Sequence, residues 1–252
     1  MKINLRINLQ KHFEYFHLLD YFLPELTVQA QEQVDTVREV ERAERQKKIE
    51  LVEASRIWRN IGACPGDVLL LTKPLGAGLL VTGARKGLIS EAERSACAAG
   101  MAALNRRAAE ILGDPALDLG VRAATDVTGF GLAGHALEMA RGAGCDVQID
   151  WNAVPLLPGV RALAAQGMVT GASGRNWAGY GAQAVLPNGF AAEDRALLTD
   201  PQTSGGLLVA CEPAALEAVL ATFRRHGFGD AAVVGRVLGA SSSPQLQVTS
   251  GR

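Results

Sequence analysis

Apolar and polar positions fall into short, regular blocks from Gly62 onward, and into a different pattern before it. Val68 to Thr72 is a compact apolar run behind the turn Cys64-Pro65-Gly66-Asp67, which predicts a strand. Lys73 to Gly78 then reads as a loop with two glycines. Ser90-Glu91-Ala92-Glu93 offers a capping serine with acids in the first turn, opening an Ala-rich helix over 91–112 that Gly113 closes. Leu119 to Ala124, broken by Arg122, reads as a strand leading into Thr125-Asp126-Val127-Thr128-Gly129-Phe130-Gly131-Leu132-Ala133-Gly134-His135. A helical pattern follows this turn and stops at Gly142.

Asp146 to Asp150 alternates as a strand, and Pro155 to Gly167 predicts a short helix. Thr170 to Gly181 reads as a glycine-rich loop carrying Ser173, Arg175, Asn176, Trp177 and Tyr180. A short helix over Ala192 to Leu198 precedes Thr199-Asp200-Pro201-Gln202-Thr203-Ser204-Gly205-Gly206, which runs into a strand, Leu207 to Cys211. Pro213 heads an amphipathic helix to Arg225, and Ala231 to Leu238 and Leu246 to Thr249 read as closing strands. Helices and strands alternating in this way predict a layered α/β (α+β) domain, a mixed sheet covered by helices.

Residues 1–61 differ in kind and predict a helical, aromatic- and charge-rich extension. Phe13, Tyr15, Phe16, Tyr21 and Phe22 are half of all the Phe and Tyr in the chain. Arg38 to Lys48 is a dense mixed-charge run with Val34, Val37 and Val40 at every third position, a solvated helix with a thin apolar stripe. Such a segment has no sizeable core, so its aromatic cluster is expected to pack on the domain that follows, or on another chain. The organisation is therefore an extension over 1–61, an α/β domain over 62–240 and a tail over 241–252 with a final strand.

Composition narrows the function classes. With 25 basic against 26 acidic residues there is no field to draw the chain to nucleic acid or an anionic membrane. No run of 18 uncharged apolar residues occurs, which argues against a membrane span. Cys64, Cys97, Cys145 and Cys211 are scattered without a C-x-x-C pair and read as reduced thiols of a cytoplasmic protein. Motifs for a P-loop, a nucleophile elbow and a zincin helix are missing.

The glycine turn is the stretch with chemistry. Strand, glycine turn and helix aim backbone N–H groups at an anion, and Asp126 stands where a metal ion could neutralise it. The same glycines would also serve a tight packing turn, and spacing leaves both readings open. Gly129-x-Gly131-x-x-Gly134 is literally a dinucleotide fingerprint, with Asp150 at the end of the next strand. Asp126 weighs against it, because a carboxylate inside the turn repels a bare pyrophosphate. Thr199 to Gly206 reads first as a capped turn, with a second phosphate wall as the alternative. Lys73 reads as surface, His135 as a packed or capping histidine, and Arg175 and Asn176 as polar surface or an anion contact.

Four stretches together resemble the selenophosphate synthase (selenide, water dikinase) family. They are Pro65-Gly66-Asp67 with Leu71-Thr72-Lys73-Pro74-Leu75-Gly76; Thr125 to His135; Arg175-Asn176-Trp177-Ala178-x-Tyr180-Gly181; and Thr199 to Gly206. They occur in that family's order between about Gly62 and Leu238. The resemblance implies the C-terminal domain of the superfamily related to aminoimidazole ribonucleotide synthase. It implies an ATP-dependent phosphoryl transfer to selenide, giving selenophosphate, AMP and phosphate, with Mg2+ and ATP as cofactors. Asp126 matches the family's metal-binding aspartate in this domain, and Thr125, Thr128, Gly129 and Gly131 would lie near the phosphates.

The family's N-terminal domain, with its nucleophilic Cys or selenocysteine, its Lys and further aspartates, is not resembled by residues 1–61, which contain no cysteine. No catalytic residue is therefore assigned. The chain resembles half of such an enzyme and is expected to be inactive alone, acting through a complementing N-terminal domain or a homodimer. Two other readings stand beside this one: a non-catalytic oligomerising or binding protein, and a dinucleotide-binding enzyme.

Overall fold

The computed structural model describes residues 59–105, 108, 112 and 120–250. The helical extension expected before Gly62 lies outside these residues except for its end. There the Ala124 N–H donates to the carbonyl of Arg59 at 2.9 Å, so the entering chain runs beside an edge of the sheet.

The sheet holds β1 (Val68–Leu71), β2 (Val121–Asp126), β3 (Cys145–Asp150), β4 (Ala184–Val185), β5 (Leu207–Cys211), β6 (Ala232–Ala240) and β7 (Leu246–Thr249). Their order across the sheet is β2-β5-β1-β6-β3-β7-β4. Pairing is antiparallel from β2 through β5, β1 and β6 to β3, and parallel from β3 through β7 to β4. The helices are α1 (Ala77–Arg85), α2 (Glu91–Ala102), α3 (Gly131–Ala143), α4 (Val160–Ala165), α5 (Gly171–Tyr180), α6 (Ala192–Leu198) and α7 (Leu216–Arg225). The mixed α/β architecture read from the pattern is the one observed.

Hydrophobic pattern explains where the layers sit. Along β1, Leu69 and Leu71 join one core with α1 to α4, while Leu70 joins a second core with α7. A strand buried on both faces has no polar side, which is why β1 and β5 read as unbroken apolar runs. β3 is covered on one face only: Cys145, Val147 and Ile149 point to the core and alternate with half-buried Asp146, Gln148 and Asp150. Phe223 and Phe228 meet edge to face at 5.9 Å and anchor α7. Each fully buried leucine of β1 is worth about 1.5–3 kcal/mol of burial.

Three local expectations are corrected by the structure. The loop read at Lys73 to Gly78 is followed at once by α1, whose sequence shows no cap; its N-terminal amides are instead covered by side chains from Asp200 and Gln202. The loop read over Thr170 to Gly181 is helix α5, opened by Thr170, whose Oγ1 accepts from the Ser173 N–H at 3.2 Å. Its glycines cost up to about 1 kcal/mol each against alanine, so its helicity rests on tertiary bonds. The Ala-rich helix expected over 91–112 is interrupted, since α2 stops at Ala102 and Ala103 turns extended.

Lys73 explains that stop and is not a surface residue. It is 6% exposed, and its ammonium donates to the carbonyls of Gly100 at 3.2 Å, Ala103 at 2.7 Å and Ser204. A cation here satisfies carbonyls at the end of α2 and meets the negative end of its dipole. Burial pushes the ammonium down to about 7. The start of α2 is as read: Ser90 Oγ accepts from the Glu93 N–H at 3.3 Å and Glu93 accepts from the Ser90 N–H at 2.7 Å, a reciprocal capping box.

Replacing Lys73 with methionine keeps the apolar stem and strips these carbonyls of their donor. Urea unfolding at neutral pH is expected to show a loss of about 1–3 kcal/mol; an unchanged midpoint would mean that Lys73 does not hold the end of α2.

Candidate functional site

The turn between β2 and α3 is built against the loop Thr199–Gly206 by direct backbone bonds. Val127 N–H donates to the Gly206 carbonyl at 2.8 Å, and Gln202 N–H donates to the Thr128 carbonyl at 3.0 Å. Glycine is required where the two loops press together. A side chain on Gly205 would begin 2.1 Å from the Val127 oxygen, and one on Gly131, at φ +69°, would begin 2.7 Å from the Thr199 carbonyl carbon.

Gly129 differs. It needs no left-handed backbone, it is exposed, and nothing lies within 4 Å of where its side chain would start. The protein's own packing gives no reason for a glycine there, and this is the open face of the turn.

α5 braces that face from the side. Asn176 Nδ2 donates to the carbonyls of Gly129 at 2.8 Å and Thr199 at 3.0 Å, and the Tyr180 hydroxyl donates to the Phe130 carbonyl. Asn176 is thus a clamp between the two loops and not an anion contact, whereas Arg175 is exposed. α3 begins at Gly131 with no side-chain cap. Its first turn carries His135, buried as expected for a packed histidine, with Nε2 3.2 Å from Thr128 Oγ1 and Nδ1 3.0 Å from Glu138 Oε2.

Thr125 and Asp126 are the last residues of β2 and are half-buried, as is Thr128. Gly131 is buried and its N–H donates to the Thr128 carbonyl at 3.0 Å, so it shapes the turn from within. Asp200 is also interior, at 1% exposure. It accepts from the Leu79 N–H at 3.2 Å, Gln202 Nε2 at 3.0 Å and Thr170 Oγ1 at 3.3 Å. Burial raises its carboxyl to about 7. The capped-turn reading of this loop, and not the phosphate wall, describes the side chain of Asp200.

Gln202 was not singled out by the sequence, yet it joins the parts. Its Oε1 accepts from the N–H groups of Gly76 at 3.0 Å and Ala77 at 3.2 Å, while its Nε2 donates to Asp200. These partners at α1 lie 126 and 125 positions away, so no local pattern carries the signal.

Mg2+ takes oxygen ligands, commonly one or two carboxylates with phosphate and water oxygens. Asp126 is a hard carboxylate beside a hydroxyl-bearing turn, and no group of three or more His, Cys, Asp and Glu suited to a metal occurs among the described residues. The donor set fits a cation held by Asp126 and shared with phosphate oxygens. It does not form a closed metal cage.

The fold also bears on the glycine fingerprint. β2 and β3 are separated in the sheet by β5, β1 and β6, and among the described residues β2 pairs antiparallel with β5. The parallel strand pair that a dinucleotide crevice requires is not formed by these strands. Asp150 instead accepts from the Asn152 N–H at 3.1 Å, capping a short turn.

The fold is a helix-covered mixed α/β sheet with an open glycine turn after its edge strand, and residues 64–245 match the family described as "AIR synthase related protein, C-terminal domain". The chain belongs to that family. It is 50% identical over 194 residues to "Selenide, water dikinase" of Burkholderia ambifaria, covering 77% of this chain and 54% of that protein. The enzyme of the same name from Rhizobium meliloti is 42% identical over 202 residues, covering 80% and 56%. The chain thus spans about half the length of the curated relatives it matches.

Among solved structures, E. coli HypE superposes with a TM-score of 0.54 at 26% identity, covering 75% of this chain and 48% of that one. A HypE structure in complex with ATP gives 0.51 at 21%, covering 75% and 47%, and shares the fold. Among the described residues no helix is long and apolar enough to cross a membrane.

A pH prediction follows from Asp200. Its carboxyl is raised in the folded state, so its contribution to stability is full below about pH 4 and is lost as pH rises through about 7. Asp200→Asn keeps the acceptor oxygen and removes the titration. Urea unfolding between pH 4 and 8 is expected to show wild-type stability falling relative to this variant across that window; parallel curves would contradict the assignment.

Proposed function

We propose that this chain works as the C-terminal domain of a selenide, water dikinase, in ATP-dependent phosphoryl transfer to selenide that gives selenophosphate, AMP and phosphate. The observation that carries the reading is the 50% identity over 194 residues to an enzyme of that name. The stapled turn supports it, because it leaves Gly129 open beside Asp126.

In this reading Asp126 shares Mg2+ with the phosphates of ATP. Thr125 and Thr128 place hydroxyls at the same rim, the Gly129 backbone lets the phosphate chain approach closely, and Gly131 fixes the curve of the turn. Bound metal would supply charge neutralisation for the phosphates. The chain's own residues orient the anion, keep the platform rigid and hold the Thr128 hydroxyl in place. Selenide and the acceptor chemistry call on residues outside those described here, supplied by a complementing N-terminal domain or through a homodimer. The four cysteines are unpaired, which supports a reducing, cytoplasmic setting.

Mixing the purified chain with a separately expressed N-terminal half of a full-length relative tests this directly. Selenide-dependent conversion of ATP to AMP is expected only in the mixture, and Asp126→Ala should lower it by about 100-fold or more. No turnover at saturating concentrations of both halves would point instead to a non-catalytic binding role.

A further inference from the structure

Thr128, His135 and Glu138 form a hydrogen-bonded line running from the open turn into α3. Thr128 sits on the turn, and His135 and Glu138 are one helical turn apart on α3. The distances are 3.2 Å from Thr128 Oγ1 to His135 Nε2 and 3.0 Å from His135 Nδ1 to Glu138 Oε2. The imidazole is enclosed, with 7% of its side chain exposed, while the Glu138 side chain is 41% exposed. The Phe130 ring lies near the imidazole, with centroids 6.0 Å apart and planes tilted by 54°.

Chemistry fixes the direction of these bonds. An ionised carboxylate only accepts, so His135 Nδ1 carries the hydrogen and donates to Glu138. With the ring neutral, Nε2 is bare and can only accept. Thr128 then spends its single hydroxyl hydrogen on His135 and keeps only its oxygen lone pairs for other partners. A hydroxyl held in this way cannot donate to a phosphate. It can coordinate a cation or accept a hydrogen bond.

We infer that His135 and Glu138 are positioning residues that set Thr128 as an oxygen ligand, so that Thr128 and Asp126 face a divalent cation together. This rests on the proposed metal–nucleotide reading of the turn and changes it in one respect: Thr128 serves the metal and not the phosphate. Hydrogen-bonded groups behind a metal's ligands generally fix the ligands' orientation and tune affinity, and His135 with Glu138 would do this for Thr128. It also gives a reason for a buried histidine beside the open turn.

Two measurements on the full chain test it. Nitrogen NMR of histidine-labelled protein at pH 8 reads the tautomer of His135 without any metal, assigned by comparison with His135→Gln. The expected result is hydrogen on Nδ1 and a bare Nε2, with Glu138→Gln shifting the ring toward a mixture. Hydrogen on Nε2 would overturn the inference whatever the site binds.

Titration with Mn2+ and ATP, followed by electron paramagnetic resonance, reads the consequence. Thr128→Val and Glu138→Gln are each expected to weaken Mn2+ binding by about tenfold or more, and Thr128→Ser to keep it. Glu138 is half-exposed, so its variant is expected to fold, which a thermal melt checks. If Asp126→Asn abolishes binding while Thr128→Val and Glu138→Gln bind as wild type, the positioning role falls and the metal site stands. If Asp126→Asn also binds as wild type, the metal reading of the turn falls with it.

Discussion

The side chain of Gln202 is the interaction on which the candidate site depends. One residue reaches three places: its side-chain amide binds the N–H groups of Gly76 and Ala77 at the start of α1 and the carboxyl of Asp200, and its backbone N–H binds the carbonyl of Thr128. The side-chain partners are interior, so those bonds are made where water cannot replace them, and losing one leaves a buried donor or acceptor unpaired. α1, the 199–206 loop and the glycine turn are thereby one unit. Lys73 extends it by tying the same loop, at Ser204, to the end of α2.

Rigidity of this kind is what an anion-binding turn needs. A phosphate held by backbone amides gains most when those amides are already oriented and nothing must be ordered on binding. Gly205 and Gly131 allow the two loops to touch, Asn176 and Tyr180 brace the turn's carbonyls, and Gly129 is left uncovered. In the proposed reading, Asp126 adds a negative charge where a bare anion is repelled and a metal-bound one is held. The physical character of the turn and the family membership agree, although they rest on different observations.

The sequence made the outline legible because the strongest signals were local. Two-sided burial made β1 and β5 apolar runs, one-sided burial made β3 alternate, and Ser90 with Glu93 announced the start of α2. What it hid was set by distant partners. α1 lacks a local cap because Gln202 and Asp200 provide one, α5 is helical despite Gly171, Gly174 and Gly179 because Thr170 and Asn176 bind elsewhere, and Lys73 is drawn inward by carbonyls from α2. Within the candidate site, Thr125 to Gly131 could be recognised as a glycine turn between a strand and a helix. The roles inside it could not, since the inward amide of Gly131 and the Thr128–His135–Glu138 line appear only when the helix is folded.

The central claim is that the two loops and α1 open as one cooperative unit held by Gln202. Amide hydrogen exchange on Gln202→Met, which keeps the side chain's length and removes its polar groups, measures this most directly. The expected result is exchange faster by about tenfold or more at Val127 and at Ala77 to Leu79 together, although none of these residues is mutated. Acceleration confined to residues 202–206, with Val127 and the start of α1 unchanged, would contradict the claim.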